Sequence, residues 1–151
     1  GVGGELAGGG GVDGAIHRAA GVQQLQAACR RIGGCATGQA VMTPAFNLGA
    51  RAIIHTVGPV WQGGDQDEAN LLRSCYSEAM TLAVREGFRT IAFPAISCGV
   101  YGYPKAQAVA VAVDEVERCL ESYLMFKRVV FACFDQSMAD LYRACLQNQA
   151  T

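Results

Sequence analysis

Several features that would announce a function are missing from this 151-residue sequence. Lys and Arg number 12 against 13 Asp and Glu, a formal charge of -1, so the basic excess that neutralises nucleic-acid phosphates is absent. No apolar run approaches the roughly 20 residues needed to cross a bilayer, and the first residues lack the charged-then-apolar order of a signal peptide. The seven cysteines are scattered with no CxxC pair, which disfavours a zinc ribbon and a disulfide framework alike. Neither GxGxxG in its strand-first context nor GxxxxGK[ST] occurs, so two common phosphate loops are disfavoured. Charged residues make up only 17% against 51% hydrophobic, the balance of a compact globule. These absences predict a single domain over 1–151, with reduced thiols, a cytoplasmic location, no metal and no cofactor.

What is abundant is glycine, and it is unevenly placed. Seven of the nineteen glycines fall within the first eleven residues, so the chain opens as a loop. Helical patterning begins at Asp13, is interrupted at Gly21, resumes over 22–31 and stops at Gly33-Gly34. Short β-branched or apolar runs at 39–46 and 51–57 predict buried strands, and 68–86 reads as a long covering helix. A strand over 90–96, a helix over 105–120, a strand over 128–134 and a helix over 138–147 complete the alternation. That order predicts an α/β fold with a mostly parallel sheet and a ligand site at the carboxyl ends of the strands.

Two segments carry chemistry. In Gly8-Gly9-Gly10-Gly11-Val12-Asp13, four glycines lead directly into a helix. Bare amides and a helix N-terminus together favour an anion such as a diphosphate. Read from composition alone, the same run is equally a surface loop in which Asp13 caps the first turn. The second segment, Ser97-Cys98-Gly99-Val100-Tyr101-Gly102, sits between a strand end and a helix start, where a second phosphate or a ribose would bind. Its other reading is a connecting turn with packed tyrosines. His55, inside an apolar strand, reads as a structural histidine, and Asp65, Asp67 and Glu68 read as a solvated helix start rather than a metal site.

The motifs GGGGVDGAIHRAAG, Thr37-Gly38, IHTVGPVW (54–61) and FPAISCGVYGYP (93–104) together, in this order, resemble the bacterial macrodomains of the MacroD type. The resemblance implies a three-layer α/β/α sandwich with a mixed, mostly parallel sheet. It implies ADP-ribose or O-acetyl-ADP-ribose as ligand, mono-ADP-ribosylated proteins as further partners, and hydrolysis of ADP-ribosyl esters. Carried over by position, Gly9, Gly10, Gly11, Val12 and Asp13 form the first phosphate loop, with Asp13 as the residue that orients or deprotonates water. Ser97, Cys98, Gly99, Val100, Tyr101 and Gly102 form the second. His17, one turn after Asp13, is a supporting residue, and Phe134 matches an aromatic position near the adenosine half. Cys98 stands where the family more often has threonine, and with no general base identifiable beside it the residue lines the loop.

The sequence departs from that family at its start. The Gly-Asp-Ile motif that recognises adenine is not present, and Gly3 occupies the position of an asparagine that supports catalysis. A non-catalytic ADP-ribose reader is therefore the alternative function. The family's N-terminal strands are thus missing, and the resemblance leads us to expect that an interior strand of the sheet comes from a missing segment of a longer protein, from a second chain or from rearranged pairing.

Overall fold

The structure, a computed structural model, describes residues 21–45, 50–133 and 135–149. The expected helix that starts at Asp13 lies outside these residues. Four strands and four helices occur among them: α1 (Val22–Ile32), β1 (Ala40–Pro44), β2 (Ala52–Thr56), α2 (Glu68–Arg85), β3 (Thr90–Phe93), α3 (Lys105–Ser122), β4 (Arg128–Phe131) and α4 (Gln136–Gln149).

Element ends follow local chemistry. The strands expected over 39–46 and 90–96 are shorter than predicted: β1 ends on Pro44 and β3 stops before Pro94, because proline has no N–H for a ladder. Helix α2 closes with a Schellman turn, in which Gly87 (φ 81°) donates to the Val84 carbonyl and Phe88 to that of Ala83. Asp135 starts α4 two residues earlier than expected. Its Oδ1 accepts from the Met138 amide at 2.9 Å and from the Ser137 hydroxyl at 2.8 Å, which also holds its carboxyl below the usual range.

Pairing is mixed, as expected for the fold. Strands β1 and β2 form an antiparallel ladder from Ala40↔Thr56 to Pro44↔Ala52, extended by an isolated parallel bridge between Thr37 and Val57. Strands β3 and β4 pair in parallel from Thr90↔Arg128 to Phe93↔Phe131. The described strands thus make two separate two-stranded sheets, and no described strand bridges β2 to β3. His55 is structural, as expected, its Nε2 lying 2.8 Å from Thr43 Oγ1 across the first ladder.

Helix α2 unites the halves. Its buried stripe Leu72, Cys75, Tyr76, Ala79, Met80 and Ala83 repeats at helical spacing. The helix contacts β1, β2 and α3, and α3 in turn contacts α4. An aromatic ladder then runs through the core: Tyr76 meets Phe93 edge-on at 4.9 Å, Phe93 lies 6.3 Å from Phe131, and Phe131 stacks on Tyr142 at 4.6 Å. Such pairs add about 0.5–1.5 kcal/mol each beyond burial. Outside the core, Arg73 on α2 grips Asp114 on α3 at 2.5 Å. All described cysteine side chains are free thiols, and no described helix is long and apolar enough to cross a membrane.

Leu72, with no exposed surface, is the stringent test of this core. Replacing it with alanine is expected to cost about 2–5 kcal/mol in urea unfolding; a loss below 1 kcal/mol would contradict the packing described.

Candidate functional site

The site is built where the sheet halves end. After β3, Pro94 stops the strand and the chain winds through 94–104 before α3 begins. Three internal bonds shape this loop: Cys98 N–H to the Ala95 carbonyl (3.3 Å), Gly102 N–H to that of Gly99 (3.0 Å) and Tyr103 N–H to that of Ser97 (2.9 Å). The amides of Gly99 and Val100 are not donors in this set. Ser97 adopts a left-handed φ of 66°, which costs a residue with a Cβ about 1–3 kcal/mol. Its Oγ is buried with no hydrogen-bond partner among the described residues. An orphaned buried hydroxyl costs about 1–3 kcal/mol more. Strain and an unsatisfied hydroxyl on one residue mark a position shaped for something other than packing.

The neighbouring wall comes from the loop after β2. Gly58 approaches so closely that an added Cβ would fall on Ser97 Oγ and lie 2.7 Å from Ile96 Cγ2. Only glycine allows that approach. The Trp61 amide then donates to the Tyr101 carbonyl at 2.8 Å, and the Trp61 ring packs on Tyr103 with centroids 4.7 Å apart. A cavity of about 340 Å³ opens between these loops, lined by Thr37, Gly58, Val60, Gln66 and Tyr101 among others. A second recess of about 290 Å³ lies between α2 and α3, and several of its polar groups pair with one another or with Arg73. Thr81 meets Tyr123 at 3.1 Å, and Glu115 meets Arg73 at 3.5 Å and Arg118 at 3.8 Å.

The structure places Ser97, Cys98, Gly99, Val100, Tyr101 and Gly102 together on one loop. Gly102 has a φ of 72°, and the Val100 side chain is wholly exposed. Burial pushes the Cys98 thiol up, although Lys105 opposes this, so the thiol is protonated near neutral pH and is a poor nucleophile. Gly9, Gly10, Gly11, Val12, Asp13, His17 and Phe134 lie outside the described residues.

One expectation is corrected. Asp65 and Asp67 are exposed, but Glu68, expected at a solvated helix start, is 1% exposed. The loop before α2 wraps its carboxylate with backbone donors: Oε2 accepts from Gln62 (2.8 Å) and Gly64 (2.9 Å), and Oε1 from Gln66 (2.6 Å). Burial alone would raise this carboxyl, yet the three amides prevail and bring it from 4.5 down to about 2. The signal for it lies in Gly63 (φ 92°) and Gly64 (φ 96°), which let successive amides converge on one anion. Burial, and then the Glu68 charge, push the Tyr103 phenol up.

The comparisons with known proteins agree with this geometry. A family model for the macro domain matches residues 2–112. The chain belongs to the macrodomain family. An O-acetyl-ADP-ribose deacetylase of Salmonella typhimurium is 54% identical over 148 residues, covering 95% of this chain and 82% of that protein. The Oceanobacillus iheyensis macrodomain solved with ADP superposes with a TM-score of 0.92 at 37% identity, covering 97% of this chain and 80% of that one. The Trypanosoma brucei macrodomain in complex with ADP-ribose superposes at 0.87 with 40% identity, covering 94% and 59%. The expected three-layer α/β fold class is therefore that of the macrodomain.

Two predictions follow from the two walls. Gly58→Ala forces the added methyl onto Ser97, and thermal unfolding should reveal a loss of about 1–3 kcal/mol; wild-type stability would refute the close approach. For Glu68 the folded value lies below the unfolded one. Its stabilisation is therefore fully present above 4.5 and is lost as pH falls through about 2. Urea unfolding from about pH 5 down to pH 2 should show a steeper loss for wild type than for Glu68→Gln. Parallel curves would exclude the amide cradle.

Proposed function

We propose that this macrodomain binds ADP-ribose and hydrolyses its esters, namely O-acetyl-ADP-ribose or mono-ADP-ribose on acidic protein side chains. The observation that carries the reading is the loop 97–102, strained at Ser97, holding an orphaned buried hydroxyl there and bordering a cavity through Tyr101. It lies in a fold whose relatives include structures with ADP and ADP-ribose bound and a deacetylase at 54% identity. An anionic diphosphate suits amide donors presented by a glycine-containing turn, and it requires no net basic charge on the protein.

In this reading Gly9 to Val12 and Ser97 to Gly102 embrace the diphosphate from two sides. Asp13, which follows the glycine run in sequence, orients and deprotonates a water. The water oxygen bonds to the ester carbonyl carbon, the bond from that carbon to the ribose oxygen breaks, and the ribose oxygen takes up a proton. The products are ADP-ribose and acetate, or ADP-ribose and a freed protein carboxylate. His17 is the supporting residue for Asp13, Phe134 matches the family's aromatic position for the adenosine half, and Cys98 lines the loop. The domain spans 1–151 and works in the cytoplasm.

A second reading, an ADP-ribose reader without turnover, is favoured by one observation: Gly3 stands where the family carries a catalytic asparagine. Turnover of O-acetyl-ADP-ribose separates the two. Asp13→Ala should lower kcat by about 10²–10⁴-fold, the usual contribution of a general base, with ADP-ribose affinity by calorimetry largely kept. Equal turnover in both forms rejects Asp13 as the base, and wild-type binding without turnover establishes the reader.

A further inference from the structure

The buried Glu68 carboxylate is absorbed by neither the ligand nor the proposed chemistry, yet it is among the most enclosed charged groups described. We infer that Glu68 is a positioning residue for the 97–102 loop, acting through Trp61. This rests on the ADP-ribose reading of that loop.

The linkage can be followed contact by contact. Glu68 fixes the amides of Gln62, Gly64 and Gln66 within 2.6–2.9 Å. Charge-assisted bonds of this kind are about twice as strong as neutral ones. Gly64 is thereby pressed against the indole, such that an added Cβ would lie 3.1 Å from Trp61 Cη2. The indole thus borders Gly64 and also packs on Tyr103. Trp61 then donates its amide to the Tyr101 carbonyl at 2.8 Å, in the middle of the loop. Both ends of this chain also meet in the cavity, since Glu68 and Tyr101 contribute to its lining. No other backbone bond joins the 57–66 segment to the 97–102 loop among the described residues.

The alternative is that Glu68 only anchors the start of α2. A purely structural carboxylate would lower global stability when removed, without changing the loop selectively. The single tryptophan of the chain makes the distinction measurable, because Trp61 emission reports on the link itself.

The experiment uses the full chain and four proteins: wild type, Glu68→Gln, Gly64→Ala, and Arg73→Met as a control that breaks the Arg73–Asp114 pair between α2 and α3 without touching the Glu68 cradle. Gly64→Ala keeps the carboxylate but strains the cradle at φ 96°. Acrylamide quenching of Trp61, ADP-ribose affinity by calorimetry, and kcat and KM on O-acetyl-ADP-ribose are compared at equal fractions folded. Glu68→Gln and Gly64→Ala should each expose Trp61 to quencher, weaken ADP-ribose by about tenfold or more and raise KM more than they lower kcat. Arg73→Met should leave quenching and affinity at wild-type values.

Unchanged quenching and affinity in folded Glu68→Gln overturn the inference, and so does an equal loss of affinity in Arg73→Met. Should Glu68→Gln fail to fold, Gly64→Ala alone decides on the same readings. If wild type itself does not bind ADP-ribose, the functional reading falls. Quenching of the unliganded proteins then still tests the link from Glu68 to Trp61.

Discussion

Among the described residues the two sheet halves meet through loops rather than through a ladder. Strands β2 and β3 share no hydrogen bonds among the described residues; the described contacts that link their ends include Gly58 against Ile96 and Ser97 and the Trp61 amide on the Tyr101 carbonyl. Helix α2 backs this junction from the core side, where Tyr76 reaches Phe93 at the end of β3. The junction is also the candidate site, because it lies at the carboxyl ends of β2 and β3, where α/β sheets hold their ligands.

Stability and site geometry pull against each other here. The α2 stripe and the aromatic ladder supply dense burial, and they tolerate a loop that is itself unfavourable. Ser97 is left-handed and its hydroxyl unpaired, and Asp67 also holds a left-handed φ of 60°. Such positions persist only where surrounding structure over-determines them. Glu68 does this on one wall by gathering three amides, and close packing of Gly58 does it on the other. A phosphate-binding turn must present its amides before the ligand arrives, since ordering them on binding would reduce affinity.

Much of the fold was legible. The long covering helix over 68–86 emerged from spacing alone, and the strands of β1 to β4 from their apolar runs. Boundary differences arose at Pro44, Pro94 and Asp135, each a local effect of a missing donor or a side-chain cap. Glu68 was misread because its acidic neighbours Asp65 and Asp67 are solvated. A carboxylate at a helix start carries no mark of burial in one dimension. The amides that enclose it come from residues two, four and six positions earlier, folded back by glycines whose φ the sequence does not state.

The sequence by itself determined the alternation of strands and helices, the order of the glycine-rich motifs and hence the macrodomain family, because periodicity and motif order are properties of the chain. Tertiary structure decided which side chains matter at the junction. It alone brings Gly58 onto Ser97 from 39 positions away, joins Trp61 to Tyr101, and closes a loop around Glu68. Those are contacts between segments remote in sequence or folded back on themselves. Their energy depends on distance and burial, which exist only once the chain has closed upon itself.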